Sequence, residues 1–206
     1  NTSIHSTAIV HPKAQLGIGT RVGPYSIIGE HVQIGDNCDV QEHVVIRGHT
    51  TIGNEVKIFP FAAVGTEPQH LKYNNEPTKV IIGDRVTLRE SVTVHRATEF
   101  GGGKTVIDSD CYLMAYAHVA HDCYVGKQVI ICNSVNLAGH VIIENNVIIG
   151  GASEVAQFCR VGRYGYVGGG STLRKDFPPF LIGKGNDFKV QGVNVIGLRR
   201  HGFSQQ

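Results

Sequence analysis

Read in strides of six, the sequence puts an aliphatic side chain at every step. From Ile4 the positions run Val10, Leu16, Val22, Ile28, Ile34, Val40, Ile46, Ile52, Ile58 and Val64. The series resumes at Ile82, Leu88 and Val94. It runs again from Ile107 through Leu113, Val119, Val125, Ile131, Leu137, Ile143, Ile149, Val155, Val161 and Val167 to Leu173. All 26 ladder positions are Ile, Leu or Val, although these types supply only 53 of the 206 residues. A stride of six matches neither the period of a helix nor the simple alternation of a long strand. It fits a repeat whose coil has three flat sides, each side taking one hexapeptide with a short strand. The ladder residue then points inward, and small residues near the corners avoid clashes. Glycine duly follows the ladder residue at Gly29, Gly35, Gly53, Gly126 and Gly162. Successive coils would stack as parallel strands ~4.8 Å apart.

A hexapeptide solenoid of this kind resembles the left-handed parallel β-helix family, so the expected fold is all-β, a left-handed parallel β-helix. The hand comes from the resemblance alone, because crossovers between parallel strands are otherwise right-handed. The helix is expected over residues 1–183. Two insertions break the ladder, at 66–79 and 100–105, and a regular coil has no place for them on its sides. They must protrude as loops, and long loops on a rigid scaffold commonly carry function. After Pro178-Pro179 the pattern fails, and residues 184–206 are expected to form a short capping tail over the open end of the solenoid.

Composition narrows the class. The 25 Val and 20 Ile against 8 Leu, 1 Met and no Trp favour strands over helices. With 17% charged residues and a formal net charge of +2, no dedicated nucleic-acid face is expected. No apolar run reaches the ~18 residues of a membrane span, and no signal-peptide pattern is seen, which predicts a cytoplasmic protein. Cys38, Cys111, Cys123, Cys132 and Cys159 form no Cys-x-x-Cys pair and are expected to be reduced core or interface residues.

Chemistry concentrates in the last ladder run, where His118, His121 and His140 fall close together among eleven histidines. A step of 18 residues moves one coil along the same side. His121 is thus expected under Gly139 and Gly139 under Gln157, with Asp122 under His140. One edge would present a base, a carboxylate beside it and a glycine whose N–H can be closely approached. That is the inventory for general-base attack on an acyl group, with an amide to meet the oxyanion. The stack holds no Ser or Cys to act as a covalent nucleophile, which favours direct transfer to an acceptor hydroxyl or amine. A zinc site is the rival reading of such a cluster.

The string His118-Val119-Ala120-His121-Asp122-Cys123, followed by Leu137-Ala138-Gly139-His140, resembles the acyl-[acyl-carrier-protein]–UDP-N-acetylglucosamine O-acyltransferase family of lipid A synthesis. Further matches are Gln69-His70-Leu71-Lys72-Tyr73, Arg89 to Arg96, Gly101-Gly102-Gly103, Gln157-Phe158-Cys159 and Gly197-Leu198-Arg199-Arg200. The resemblance spans essentially the whole chain. It implies transfer of a β-hydroxyacyl group from acyl carrier protein to the 3-position of a UDP-N-acetylglucosamine-type sugar nucleotide, the first step of lipid A synthesis. It implies a homotrimer and neither cofactor nor metal. It makes His121 the general base, Asp122 the neighbour that tunes it, and Gly139 the oxyanion donor. Lys72, His118, His140 and Gln157 would contact the nucleotide sugar or the acyl carbonyl. Asn194 and Arg200 would hold the nucleotide across a subunit boundary, and Gly169 would leave room for a long acyl chain. Lys72, Arg89, Arg96, Arg160 and Arg163 are the expected basic patch for an acidic carrier protein.

The chain also departs from the family pattern. His70 stands where the family has an aspartate, Ala156 where it has a histidine, Ile196 where it has a glutamate, and His201 where it has a second basic residue. The family's helical C-terminal domain is expected to be absent beyond Phe203. Two other readings stay open on sequence alone. One is a related hexapeptide acyltransferase with a different nucleotide-sugar acceptor or a CoA donor; the other is a binding-only hexapeptide protein.

Overall fold

The structure, a computed structural model, describes residues 1–204. The chain forms the left-handed parallel β-helix that the six-residue stride and the family resemblance led us to expect. Most strands are two residues long, and consecutive strands fall on three different faces. The first face begins with Ser3–Ile4 and has 11 strands, the second begins with Ile9–Val10 and has nine, and the third begins with Gln15–Leu16 and has eight. In uninterrupted stretches the register advances by one coil of three hexapeptides, pairing Ile4 with Val22, Val22 with Val40 and Val40 with Ile58.

Ladder residues form columns inside the prism. Ile46, Ile58, Val64, Leu88, Val94, Ile107, Leu113, Val119, Ile131, Leu137, Ile143 and Ile149 are all fully buried. Burying each such side chain contributes about 1.5–3 kcal/mol, so the stack of columns is the main source of stability. Burial falls off toward the first coil of the column, where Ile4 is 48% exposed.

The corners hold a finding that the small-residue expectation only half captures. Gly35 follows the expectation: a β-carbon there would press on the Gly53 carbonyl of the next coil. The second corner residue, however, is usually not glycine and lies in the left-handed region, as at Asn37 (φ 55°), His43 (55°), Glu55 (56°), Tyr116 (65°), Asp122 (62°) and His140 (63°). Such a backbone costs about 1–2 kcal/mol in a residue with a side chain. It turns the N–H along the prism axis onto the coil before, as Asn37 to Ile18 O (2.8 Å), Tyr116 to Glu90 O (2.9 Å) and His140 to His121 O (3.0 Å). The corner thus trades local strain for a satisfied donor.

The first interruption lies between the strands Ala63–Thr66 and Lys79–Ile82, and the second between Thr93–His95 and Lys104–Ile107. The second opens after His95, earlier than the expected Phe100, where the pairing with the coil below shifts register between Val64 and Thr66 and Arg96 N–H donates to Thr66 O at 3.0 Å. Arg96 also ties the first loop down, its Nε donating to the Tyr73 hydroxyl at 2.7 Å.

The tail starts as part of the prism. Strand Leu181–Lys184 extends the first face, pairing Ile182 with Tyr166, so it straddles the expected boundary at residue 184. Lys189–Val193 folds back antiparallel on it, and a short helix follows at Val195–Arg200. Phe177 and Phe188 meet edge to face at 5.0 Å over this end of the core. Gln205 and Gln206 of the predicted tail lie outside the described residues. Among the described residues no helix is long and apolar enough to cross a membrane.

Candidate active site

The stack expected at the edge between the second and third faces is present. Strand His118–Val119 pairs with Asn136–Leu137, and that with Glu154–Val155, which sets His121, Gly139 and Gln157 on successive coils. A β-carbon at Gly139 would run into the His121 ring, so only glycine lets the imidazole lie flat against the next coil. No hydrogen bond among the described residues uses the Gly139 N–H.

Asp122 is the electrostatic centre of the edge. Its side chain is completely buried, and Oδ2 lies 2.8 Å from His121 Nδ1. The Thr98 N–H donates to Oδ1 at 3.1 Å and the Thr98 hydroxyl to Oδ2 at 2.7 Å, while Asp122 N–H donates to Thr105 Oγ1 at 2.9 Å. An ionised carboxylate only accepts, so His121 Nδ1 carries its proton and Nε2 is left with the free lone pair. Thr98 and Thr105 were not picked out in the sequence. The signal existed: the ladder gap between Val94 and Val119 places residue 97 under Asp122 and Thr98 beside it.

Three more imidazoles surround His121. His140 lies edge-on at 5.1 Å and stacks at 4.5 Å on Phe158, one coil further. His140 Nε2 is 3.8 Å from Asp122 Oδ2. Burial holds the His140 imidazole below its ordinary pKa, the Asp122 charge opposes that, and His121 and His70 add to it. His118 Nδ1 is 2.7 Å from the Thr93 hydroxyl, and burial followed by His121 lowers its pKa. His70, on the first loop, meets the His121 ring edge-on at 5.3 Å, so the expected departure at this position sits directly beside His121.

These residues open on a cleft of about 600 Å³ along the second face, lined by Gln69, His118, His121, Asn136, Gly139, Glu154, Ala156, Thr172 and Arg174. Gln69 reaches this cleft; Lys72 follows on the same loop, its side chain exposed and its backbone N–H donating to His70 Nδ1 at 3.3 Å. Gln157 stands exposed one coil beyond Gly139. Gly169 lies at the opposite edge of the second face, three rungs beyond the His118–Val119 strand. Asn194 and Arg200 are not part of the cleft. They line a second hollow of about 510 Å³ on the first face with Tyr166, Ile196 and His201. Asn194 there caps the short helix, accepting from Gly197 N–H at 3.2 Å, and its Nδ2 donates to Tyr164 O at 2.9 Å.

The geometry also bears on covalent and on metal chemistry. Cys123 is no nucleophile: its thiol donates to Ala138 O at 3.1 Å, and burial pushes its pKa up to about 12. The ligating atoms of His121, Asp122 and His140 lie within 4.8 Å of one another, the spacing of a metal site. A metal there would compete with Thr98 and His121 for an Asp122 carboxylate whose two oxygens both already accept hydrogen bonds. The expected basic patch is broken up, since Arg89 pairs with Glu90 (2.9 Å), Arg96 with Glu67 (3.6 Å) and Arg160 with Glu144 (2.7 Å).

Comparison with known proteins adds an independent line. The family model described as bacterial transferase hexapeptide (six repeats) matches residues 13–48 and 104–139. The acyl-[acyl-carrier-protein]–UDP-N-acetylglucosamine O-acyltransferase of Herminiimonas arsenicoxydans is 50% identical over 203 residues, covering 98% of this chain and 78% of the relative. The chain belongs to that family. A second member, from Halorhodospira halophila, is 48% identical and covers 100% of this chain and 80% of its own length. Among solved structures of the family, LpxA from Acinetobacter baumannii superposes with a TM-score of 0.96 at 42% identity, covering 98% of this chain and 78% of that one. The UDP-N-acetylglucosamine acyltransferase of Francisella novicida does so at 35% identity and the same TM-score, covering 98% and 74%. The model described as domain 2 of UDP-N-acetylglucosamine O-acyltransferase matches residues 176–206. The helix Val195–Arg200 lies within that matched stretch, and so does the expected boundary at residue 184.

Proposed function

We propose that the protein moves a β-hydroxyacyl group from acyl carrier protein to the 3-hydroxyl of a UDP-N-acetylglucosamine-type nucleotide, the first step of lipid A synthesis. The reading is carried by the juxtaposition of Asp122, His121 and Gly139 at the head of the cleft. His121 Nε2 takes the proton of the acceptor hydroxyl as its oxygen attacks the thioester carbonyl. Asp122 stays ionised, fixes the imidazole tautomer and offsets the positive charge that forms on it. The Gly139 N–H meets the oxyanion of the tetrahedral intermediate. Collapse breaks the carbon–sulfur bond, and the leaving thiolate takes the proton back from His121.

His118, His140, Gln157 and Lys72 are assigned to the sugar and the acyl carbonyl, and Gly169 to the end of the acyl chain. Asn194 and Arg200 are assigned to the nucleotide. Because they line a different face from His121, this assignment requires a neighbouring subunit, and we assign a homotrimer in which one subunit's tail closes another's cleft. The expected compartment is the cytoplasm, where both substrates are made. No cofactor enters the reaction.

The direct test is acyl transfer from acyl carrier protein thioester and from the CoA thioester to several UDP-sugars. Transfer from the carrier to UDP-N-acetylglucosamine supports the reading. Preference for CoA or for another sugar replaces it with the related acyltransferase, and no transfer at all leaves a binding protein. Light scattering tests the assembly: a fully active monomer at nanomolar concentration contradicts the shared site.

A further inference from the structure

The floor of the cleft beside the catalytic edge is a single column of outward-facing residues, one per coil. Ala120, Ala138 and Ala156 occupy three successive coils, their N–H groups donating to Leu137, Val155 and Leu173 carbonyls at 3.1, 3.0 and 2.8 Å. The fourth position of the column is Arg174, next to Leu173 in the same register. The groove is therefore floored by methyl groups for three coils and then ends on a guanidinium. Lys175 follows, and both side chains are exposed.

Among the described residues Arg174 has no ion-pair partner. Its one side-chain hydrogen bond among the described residues runs from Nη1 to the Asn186 carbonyl at 3.0 Å, which steadies the guanidinium while leaving its other donors unused. The surrounding carboxylates are placed otherwise. Asp176 Oδ1 accepts from the Arg160 N–H at 2.8 Å, Asp187 pairs with Lys189 at 3.2 Å, and Glu154 lines the cleft one coil below on the neighbouring column. Arg174 also joins two hollows, because it lines both the catalytic cleft and an adjoining one of about 360 Å³ that contains Lys175 and Phe188. A guanidinium with free paired donors at a cleft mouth suits a phosphate.

We propose that Arg174 binds the phosphodiester of the donor's thiol arm, by which an acyl carrier protein holds its thioester. This rests on the acyl-transfer reading above. Distance selects this phosphate over the acceptor's diphosphate. Arg174 stands three coils from Ala120, the neighbour of His121, or ~14 Å along the axis at the strand spacing of a sheet. A diphosphate separated from the reacting hydroxyl by one sugar ring falls well short of that. The extended arm between a thioester and its phosphodiester spans it. Two paths then leave the catalytic edge: the thiol arm runs straight up the alanine column to Arg174, and the acyl chain crosses the second face toward Gly169.

The test compares two donors carrying the same acyl group, the carrier-protein thioester and the acyl-pantetheine thioester, which lacks the phosphate. In Arg174→Ala and Arg174→Gln the ratio of kcat/KM for the carrier over the phosphate-free donor should fall about 10- to 100-fold, the worth of a charge-assisted contact. Most of the fall should appear in the KM for the carrier, and Arg174→Lys should recover part of it. An unchanged donor ratio in both variants overturns the proposal. A rise in KM for the UDP-sugar alone also overturns it and assigns Arg174 to the acceptor diphosphate. If the wild type transfers from neither donor, it is the acyl-transfer reading that has failed.

Discussion

Asp122 Oδ2 lies 2.8 Å from His121 Nδ1, and no part of the Asp122 side chain reaches solvent. A buried carboxylate with two donors from Thr98 holds the imidazole in one tautomer and one orientation. His121→Ala should therefore keep the fold, since the ladder columns are untouched, and lose about 10²–10⁴-fold in kcat. Turnover above a tenth of wild type in a folded variant excludes His121 as the base.

Gly139 is the second point of leverage. Its backbone φ is ordinary, so Gly139→Ala carries no conformational penalty of its own, but the new methyl group would occupy the space of the His121 ring. The ring must swing away from both Asp122 and the cleft. We expect kcat to fall about tenfold or more with the thermal midpoint nearly unchanged, because misplacing a reacting group is costly in rate. Full activity in Gly139→Ala would show that the imidazole works from another position.

Behind the site, His95 is 7% exposed and its Nδ1 has no hydrogen-bond partner among the described residues. Burial, with His118 and His121 adding to it, lowers its pKa from 6.5 to about 4. Between those values the unfolded chain takes up a proton that the native state refuses, so stability falls as pH falls. The loss from this group is at most about 3 kcal/mol. His118 and His140 are shifted in the same direction. Urea unfolding at pH 7.5 and pH 4.5 should show His95→Gln losing about 1–2 kcal/mol less on acidification than wild type. Identical losses in the two proteins would remove His95 from the account.

His70 faces His121 from the first loop, and it differs from an aspartate in offering one donor and one acceptor when neutral. His70→Asp adds a pure acceptor for sugar hydroxyls beside His121. The variant should use UDP-N-acetylglucosamine with a KM lower by about tenfold, the value of a restored polar contact. A higher KM for His70→Asp means the histidine is the better partner for this acceptor.

The regular part of the molecule was legible in the sequence because the prism is periodic. Counting by 18 from His121 and Asp122 reached Gly139, Gln157 and His140 correctly, since strand pairing leaves no freedom between coils. Counting fails wherever the chain leaves the ladder. His70 sits on the first insertion, where no fixed offset leads to it. The coil that carries Thr98 is offset by 25 from the Asp122 coil, but that offset is set by strand pairing across the second insertion and differs from the regular 18. Charges were also illegible: Arg89, Arg96 and Arg160 read as a free basic patch, and their partners Glu90, Glu67 and Glu144 became visible only in three dimensions. Arg174 shows the converse, a cation whose meaning comes from the three alanines below it.

The hydrogen bonds from Thr98 to Asp122 set a limit on how regular this protein can be. Gly101 passes so close over the Asp122 carboxyl group that a β-carbon there would collide with it, so the second insertion wraps the acid rather than merely bulging from the prism. Excising residues 97–103 to restore an unbroken ladder would remove both donors that Thr98 supplies to Asp122 and open the carboxylate to water. Consensus design aimed at the perfect hexapeptide repeat would then select a sturdier prism that has lost its enzyme. The regular coils carry His121, Asp122 and Gly139, and the irregular stretch supplies the two donors that hold Asp122 in place.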